Sequence, residues 1–371
     1  MSNVINVLHV VGRMDYGGTE ALLMNLLRNL DTEHFHYDFV EQTPEKCAHD
    51  DEIISLGATI YRCPHISLAN IKEYRRWWRK FFIEHPEYKI VHGHSRGSAP
   101  IYLDEAKKAG RITIAHCHNN SCGKGISGII RYIWQLPLRK LADYNFACSY
   151  DSGVSQFGKN NDFVVIKNGI MTRQYIWNNE IRKKIRKENN ICNEFVVGNV
   201  ARFEEQKNHR FLIYIFYEIY KMVPDAVLML VGEGSKEQEI HQLATSLNVE
   251  HRIIYKGACK NVNELLQAMD VFVLPSNFEG LGIVNIEAQA AGLPVFTSDK
   301  VVAPEAKVTD LLTFIPLNKS AKAWAQCIVN GRIDTKKRRD TSQEIIDAGF
   351  DIGNTAVYLN SFYYKVLGYG S

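Results

Sequence analysis

Two glutamates eight positions apart, Glu279 and Glu287, stand in the segment 275–292, PSNFEGLGIVNIEAQAAG, which follows an apolar run and leads into a helical pattern. A helix beginning just after Gly282 leaves Glu279 in the strand-to-helix loop and puts Glu287 about one turn inside, so that both carboxylates can face one ligand. An ionised carboxylate accepts several hydrogen bonds, which suits the hydroxyls of a sugar or a ribose. Gly280 and Gly282 let the loop come close to that ligand, and the free N–H groups of the helix start suit phosphate. Positive charge is supplied by segment 199–209, NVARFEEQKNH, where Arg202 and Lys207 can clamp two phosphates. Acid for hydroxyls beside base for phosphates describes a nucleotide sugar. Two glutamates at this spacing alone would suit a solvated helix face; their setting between Pro275-Ser276 and Ala290-Ala291-Gly292 favours a site.

These groups need a scaffold, and short β-branched runs alternating with helical patterns supply one of the α/β class. Strands are expected at 5–11, 37–40, 59–62, 90–92, 113–117 and 144–148, with helices such as 19–30 and 71–84 between them. A second series follows at 195–200, 227–231, 252–256, 271–274 and 295–297. The segment VVIKNGI, 164–170, and the charged stretch after it place the domain boundary near 168–192. Two doubly wound domains are expected: 1–170, with a returning C-terminal helix at about 354–371, and 171–353. Each parallel sheet places its ligand crevice outside the carboxyl ends of its strands, and two such domains facing one another make a cleft.

The segments around Glu279, Glu287, Arg202 and Lys207 resemble the E-x7-E motif and Arg…Lys phosphate clamp of glycosyltransferase family 4, the retaining GT-B enzymes. The resemblance extends through Gly17-Gly18-Thr19-Glu20, Val231-Gly232-Glu233-Gly234 and residues 257–287, and so covers most of the chain. It implies GT-B architecture, with two Rossmann-like domains across a cleft. It implies that Glu279 contacts donor-sugar hydroxyls, that Glu287 holds the ribose, and that Arg202 and Lys207 neutralise the diphosphate. The loop carrying Gly17 and Gly18 would close over the phosphates, while Gly280, Leu281, Gly282 and Ile283 line the donor and Gly257 to Val262 border its base. The segment AHCHN resembles the family's strand-end histidine and favours His118 over His116 as the group reaching the sugar or the reacting centre. Two departures stand out: Cys117 within AHCHN, and Met171 where the family often has Asp after Asn-Gly-Ile.

The expected reaction is transfer of a sugar from a nucleoside-diphosphate donor, UDP-sugar favoured, to a glycan or lipid-linked acceptor in exopolysaccharide or capsule assembly. The rivals are a GT-B nucleotide-sugar epimerase and a non-catalytic GT-B binding protein. The sequence holds no Asp-x-Asp motif, and Asp50-Asp51-Glu52 reads as a solvated loop, so no metal and no cofactor are expected. His116, Cys117, His118 and Cys122 could suggest zinc, but neighbouring side chains of a strand point to opposite faces, which argues against it. His92 and His94 read as structural, or as lining the acceptor side.

The 371 residues, 46% hydrophobic and 23% charged with net charge +3, suit an ordinary globular protein and give no general case for nucleic acid as a partner. The eight cysteines lack a disulfide framework and read as mostly buried thiols. With no signal-like start and no long apolar stretch, a cytoplasmic protein is expected. The helix containing YRRWWRKFF has two readings: its aromatics pack on the sheet, which is preferred, or Arg75–Lys80 dock on the anionic inner face of the membrane. Residues 336–339 read as solvated surface.

Overall fold

The structure, a computed structural model, describes residues 4–67, 69–118, 133–334 and 337–369. The chain divides into two compact units, Met1–Ile170 with Asp351–Ser371, and Met171–Phe350.

The first unit is built on a seven-stranded parallel sheet: β1 (Ile5–Val11), β2 (Phe35–Glu41), β3 (Ile60–Arg62), β4 (Ile90–Gly93), β5 (Ile112–Cys117), β6 (Tyr144–Ala147) and β7 (Val164–Val165). Their order is β3-β2-β1-β4-β5-β6-β7. β1 and β4 are neighbours although two strands intervene in sequence, so the order reverses there and the crevice opens beyond their carboxyl ends. The Ile71–Glu84 helix buries Tyr74, Trp78, Phe81 and Phe82 in the core beneath the sheet. Arg75 of that helix is 2.7 Å from Asp104 and 2.6 Å from Glu105, and Arg79 is 2.7 Å from Glu105. The aromatic half of the helix therefore packs, and two of its cations are already neutralised. The Ile352–Val366 helix belongs to this unit and buries Leu359 and Tyr363.

The second unit holds a six-stranded parallel sheet: β8 (Val196–Val200), β9 (Val227–Val231), β10 (Ile253–Tyr255), β11 (Val271–Leu274), β12 (Val295–Ser298) and β13 (Leu312–Ile315), in the order β10-β9-β8-β11-β12-β13. The reversal lies between β8 and β11. Fully buried side chains such as Val197, Leu228, Leu230, Val271 and Val273 pack against Leu212, Ile215 and Phe216 of the His209–Met222 helix. Two parallel doubly wound sheets make the α/β class of the sequence reading.

Two expectations are corrected. Asp50 opens the Asp50–Ser55 helix and is buried: it accepts the Cys47 N–H at 2.9 Å and pairs with Arg62, which also lies 2.9 Å from Glu41. Arg338 is buried too, donating to the carbonyls of Leu266, Gln267, Met269 and Ala291 while its guanidinium lies 4.0 Å over the Trp177 ring. A guanidinium can satisfy several carbonyls at once, which is how a cation survives in a core; Lys336 lies outside the described residues. All seven described cysteines are free, and four of them are buried.

Candidate functional site

In the second unit the residues singled out from sequence gather beyond the carboxyl ends of β8 and β11. Asn208, at φ +55, turns the chain after β8 and donates from its amide to the Pro275 carbonyl at 3.0 Å. The Asn277 amide donates to the Glu205 carbonyl at 2.8 Å, and its backbone N–H to the Gln206 carbonyl at 2.8 Å. Three bonds thus splice the loop carrying Lys207 to the loop carrying Glu279. The consequence is an ion pair between the Lys207 ammonium and the Glu279 carboxylate. Gln206 at 3.5 Å and Ser276 at 3.4 Å also donate to that carboxylate.

Arg202 follows β8 directly and is exposed, and no hydrogen bond or ion pair holds its guanidinium among the described residues. Its backbone is fixed by the neighbouring loop, because Phe203 N–H donates to the Glu233 carbonyl at 2.9 Å and Lys236 N–H to the Phe203 carbonyl at 2.8 Å. A Cβ on Gly232, at φ +135, would sit 2.2 Å from the Ala201 carbonyl oxygen, so this glycine is there for close approach of two loops. Gly232 N–H donates to the Gly257 carbonyl at 2.8 Å, which brings in the third loop, ending where Val262 opens the Val262–Ala268 helix.

Gly280, Leu281 and Gly282 lead into the Ile283–Ala290 helix, with Gly282 at φ +64 as its cap. Glu287 lies one turn inside, as the spacing implies, but its carboxylate turns to Tyr175, whose hydroxyl donates to Oε1 at 2.9 Å. Burial raises the Glu287 pKa, and the Tyr175 hydrogen bond opposes that rise. No hydrogen bond joins the two glutamates among the described residues. Sequence reasoning missed Tyr175, Gln206 and Asn285. Asn285 is fully buried, with neither side-chain polar atom bonded among the described residues; the polar pair Asn285 and Gln289, one turn apart in a largely apolar helix, was the available signal.

In the first unit, Gly17 caps the Gly18–Arg28 helix just after β1. The Asn168 amide donates to the Gly18 carbonyl at 3.5 Å, which ties the interdomain Asn-Gly turn to that glycine. His118 follows β5, and burial holds its pKa down at about 4. Its Nε2 is 2.9 Å from His94 Nδ1, whose Nε2 is 3.1 Å from His9 Nδ1. A parallel pair is formed by His92 Nε2 and His116 Nδ1 at 3.1 Å, with the Tyr363 hydroxyl 2.7 Å from His92 Nδ1. Asn119 and Cys122 lie outside the described residues.

Comparison with known proteins fits this geometry. Residues 16–174 match the family described as Glycosyltransferase Family 4, and residues 181–345 match Glycosyl transferases group 1. The Bacillus subtilis protein EpsF, named as a glycosyltransferase, is 30% identical over 368 residues, covering 96% of each chain. The chain belongs to glycosyltransferase family 4. An Escherichia coli relative of this glycosyltransferase, UDP-Gal:alpha-D-GlcNAc-diphosphoundecaprenol alpha-1,3-galactosyltransferase, is 34% identical over 110 residues, covering 29% of this chain and 28% of its own. Among solved structures, Anabaena Alr3699/HepE in complex with UDP and glucose superposes with a TM-score of 0.80 at 19% identity, covering 97% of this chain and 100% of that one. At that identity the likeness speaks for the GT-B fold.

Proposed function

We propose that this glycosyltransferase moves a hexose or similar sugar from a nucleoside-diphosphate donor, UDP-sugar favoured, to a glycan or lipid-linked acceptor, with the anomeric configuration retained. The observation that carries the reading is the Lys207–Glu279 ion pair beyond the β8 and β11 ends, with the Arg202 guanidinium exposed at the same strand end. Lys207 and Arg202 take the diphosphate, Glu279 accepts from sugar hydroxyls, and Glu287, fixed by Tyr175, accepts from the ribose. Gly257 to Val262 border the base, and Gly280 to Ile283 follow the donor. In the first unit, His118 and the Gly17-Gly18 turn are assigned to the reacting end of the donor.

The bond from the anomeric carbon to the diphosphate oxygen breaks while the acceptor oxygen bonds to that carbon on the same face. The acceptor's proton passes to the departing phosphate oxygen, so no protein base is required. Two side-chain cations neutralise the leaving group without a metal ion beside it. Exopolysaccharide or capsule assembly is the setting; the E. coli relative's name supports a UDP donor and a lipid-diphosphate acceptor. Membrane contact through Arg75–Lys80 is not part of the proposal, because Arg75 and Arg79 are engaged by Asp104 and Glu105.

Thermal-shift screening against nucleotide sugars tests this reading. Donors sharing one base should raise the melting temperature with concentration, and Glu287→Ala should remove the shift. A folded protein that responds to no nucleotide sugar contradicts it.

A further inference from the structure

Five histidines that no step of the proposed transfer fully uses converge from three adjacent strands of the first sheet. His9 lies in β1, His92 and His94 in and just after β4, and His116 and His118 in and just after β5. Strand alternation, which sets Cys117 into the core beneath the sheet, puts His116 and His118 together on the opposite face, where the histidines of β4 meet them. We propose that His94, His116 and His118 form a three-imidazole site for one divalent transition-metal ion of the zinc type.

One ring nitrogen from each of these residues lies within 4.8 Å of the other two. Zinc bonds imidazole nitrogen at about 2.0–2.1 Å, so tetrahedral ligands stand roughly 3.3 Å apart. The 2.9 Å between His94 Nδ1 and His118 Nε2 therefore needs to open by only a few tenths of an ångström.

The other ring nitrogen is already held in His94 and His116. His9 Nδ1 lies 3.1 Å from His94 Nε2, and His92 Nε2 lies 3.1 Å from His116 Nδ1. His92 is itself anchored by the Tyr363 hydroxyl. Outer contacts of this kind fix the tautomer and orientation of metal-binding imidazoles. They leave His116 Nε2 buried and without a hydrogen-bond partner among the described residues, an unpaired polar atom that a ligand would satisfy.

Two other clusters are weaker. His9, His92 and His94 are also mutually close, but all three are buried, whereas His118 keeps part of its surface exposed and offers an entry path. Glu41, Cys47 and Asp50 are close as well, but the Arg62 guanidinium already takes both carboxylates. Three protein ligands leave a fourth position for water or another oxygen. The site is separate in its residues from the Arg202–Lys207 clamp, and its test uses the metal alone, so it can fail while the donor reading stands.

The experiment is equilibrium dialysis of the full-length protein against zinc and cobalt(II), with metal quantified by mass spectrometry and the cobalt environment by visible absorption. The expected result is one bound equivalent with an intense tetrahedral cobalt band. His94→Ala and His116→Ala should each weaken binding by at least about 100-fold, His92→Phe by about 10- to 100-fold, and His241→Ala, away from the cluster, not at all. A folded wild-type protein that takes up no stoichiometric metal overturns the proposal whatever the variants do. So does binding that survives both His94→Ala and His116→Ala, with folding checked by circular dichroism.

Discussion

The Lys207 ammonium and the Glu279 carboxylate are each other's ionic partner, with only 15% and 10% of their side-chain surfaces exposed. Charges this enclosed are strongly coupled, because removing one leaves the other poorly solvated. Lys207→Ala should lower unfolding stability by about 2–3 kcal/mol and abolish most transfer. The double variant Lys207→Met/Glu279→Gln should recover most of that stability and none of the activity. Urea unfolding and donor turnover measured on the same preparations check this; a single variant as stable as the parent contradicts it.

Tyr175 should govern how Glu287 holds its ligand. Its hydroxyl lowers a carboxylate pKa that burial raises, so Tyr175→Phe pushes that pKa up further. More of the carboxylate is then protonated at a given pH, and a protonated carboxyl accepts fewer hydrogen bonds. Donor KM should rise about tenfold, as expected for losing a hydrogen bond to a charged group, with the largest effect at the acid end. Donor KM against pH for parent and variant gives the comparison; an effect that grows with rising pH contradicts the sign.

Gly282→Ala tests the loop that seats Glu279. At φ +64 an alanine costs about 1–2 kcal/mol, and its Cβ would stand 2.7 Å from Asn285 Nδ2 and 3.1 Å from Glu279 Cγ. The melting temperature should fall by several degrees and donor KM should rise together. A variant unchanged in both contradicts this account.

His209 provides an acid-sensitivity test independent of the histidines in the first unit. It is buried, stacks on Phe203 with ring centres 4.3 Å apart, and its pKa is lowered to about 4, first by burial and then by the nearby Lys207. Since the unfolded chain protonates near 6.5, this stability is present above that pH and is lost as pH falls through 4. Between pH 7 and 4 the parent should lose about 3 kcal/mol more than a His209→Leu variant. Urea midpoints across that range are the measurement, and parallel curves contradict it.

The α/β fold was legible wherever burial forces a continuous apolar run. β1 and β9 carry INVLHVV and VLMLV, and both are buried along almost their whole length. β7 escaped notice because it is two exposed residues, and β13 because only the two ends of LTFI are buried, so it makes no continuous apolar run. Within the second unit, Glu279 and Lys207 could be picked out because each sits in a distinctive loop beside a strand. Their pairing could not, since it depends on Asn208 and Asn277 splicing segments some 70 positions apart, as the Lys207–Glu279 separation of 72 shows. Tyr175 was hidden for the same reason, lying 112 positions from Glu287, and the histidine cluster because sequence shows alternation within a strand, while strand order decides which faces meet.

Donor turnover bears most directly on the central claim, measured with the best-binding nucleotide sugar and with the product anomer read by proton NMR. Transfer should retain the anomeric configuration and fall by at least about 100-fold in folded Glu279→Ala and Lys207→Ala variants. Undiminished turnover in either variant, or an inverted product, contradicts the account.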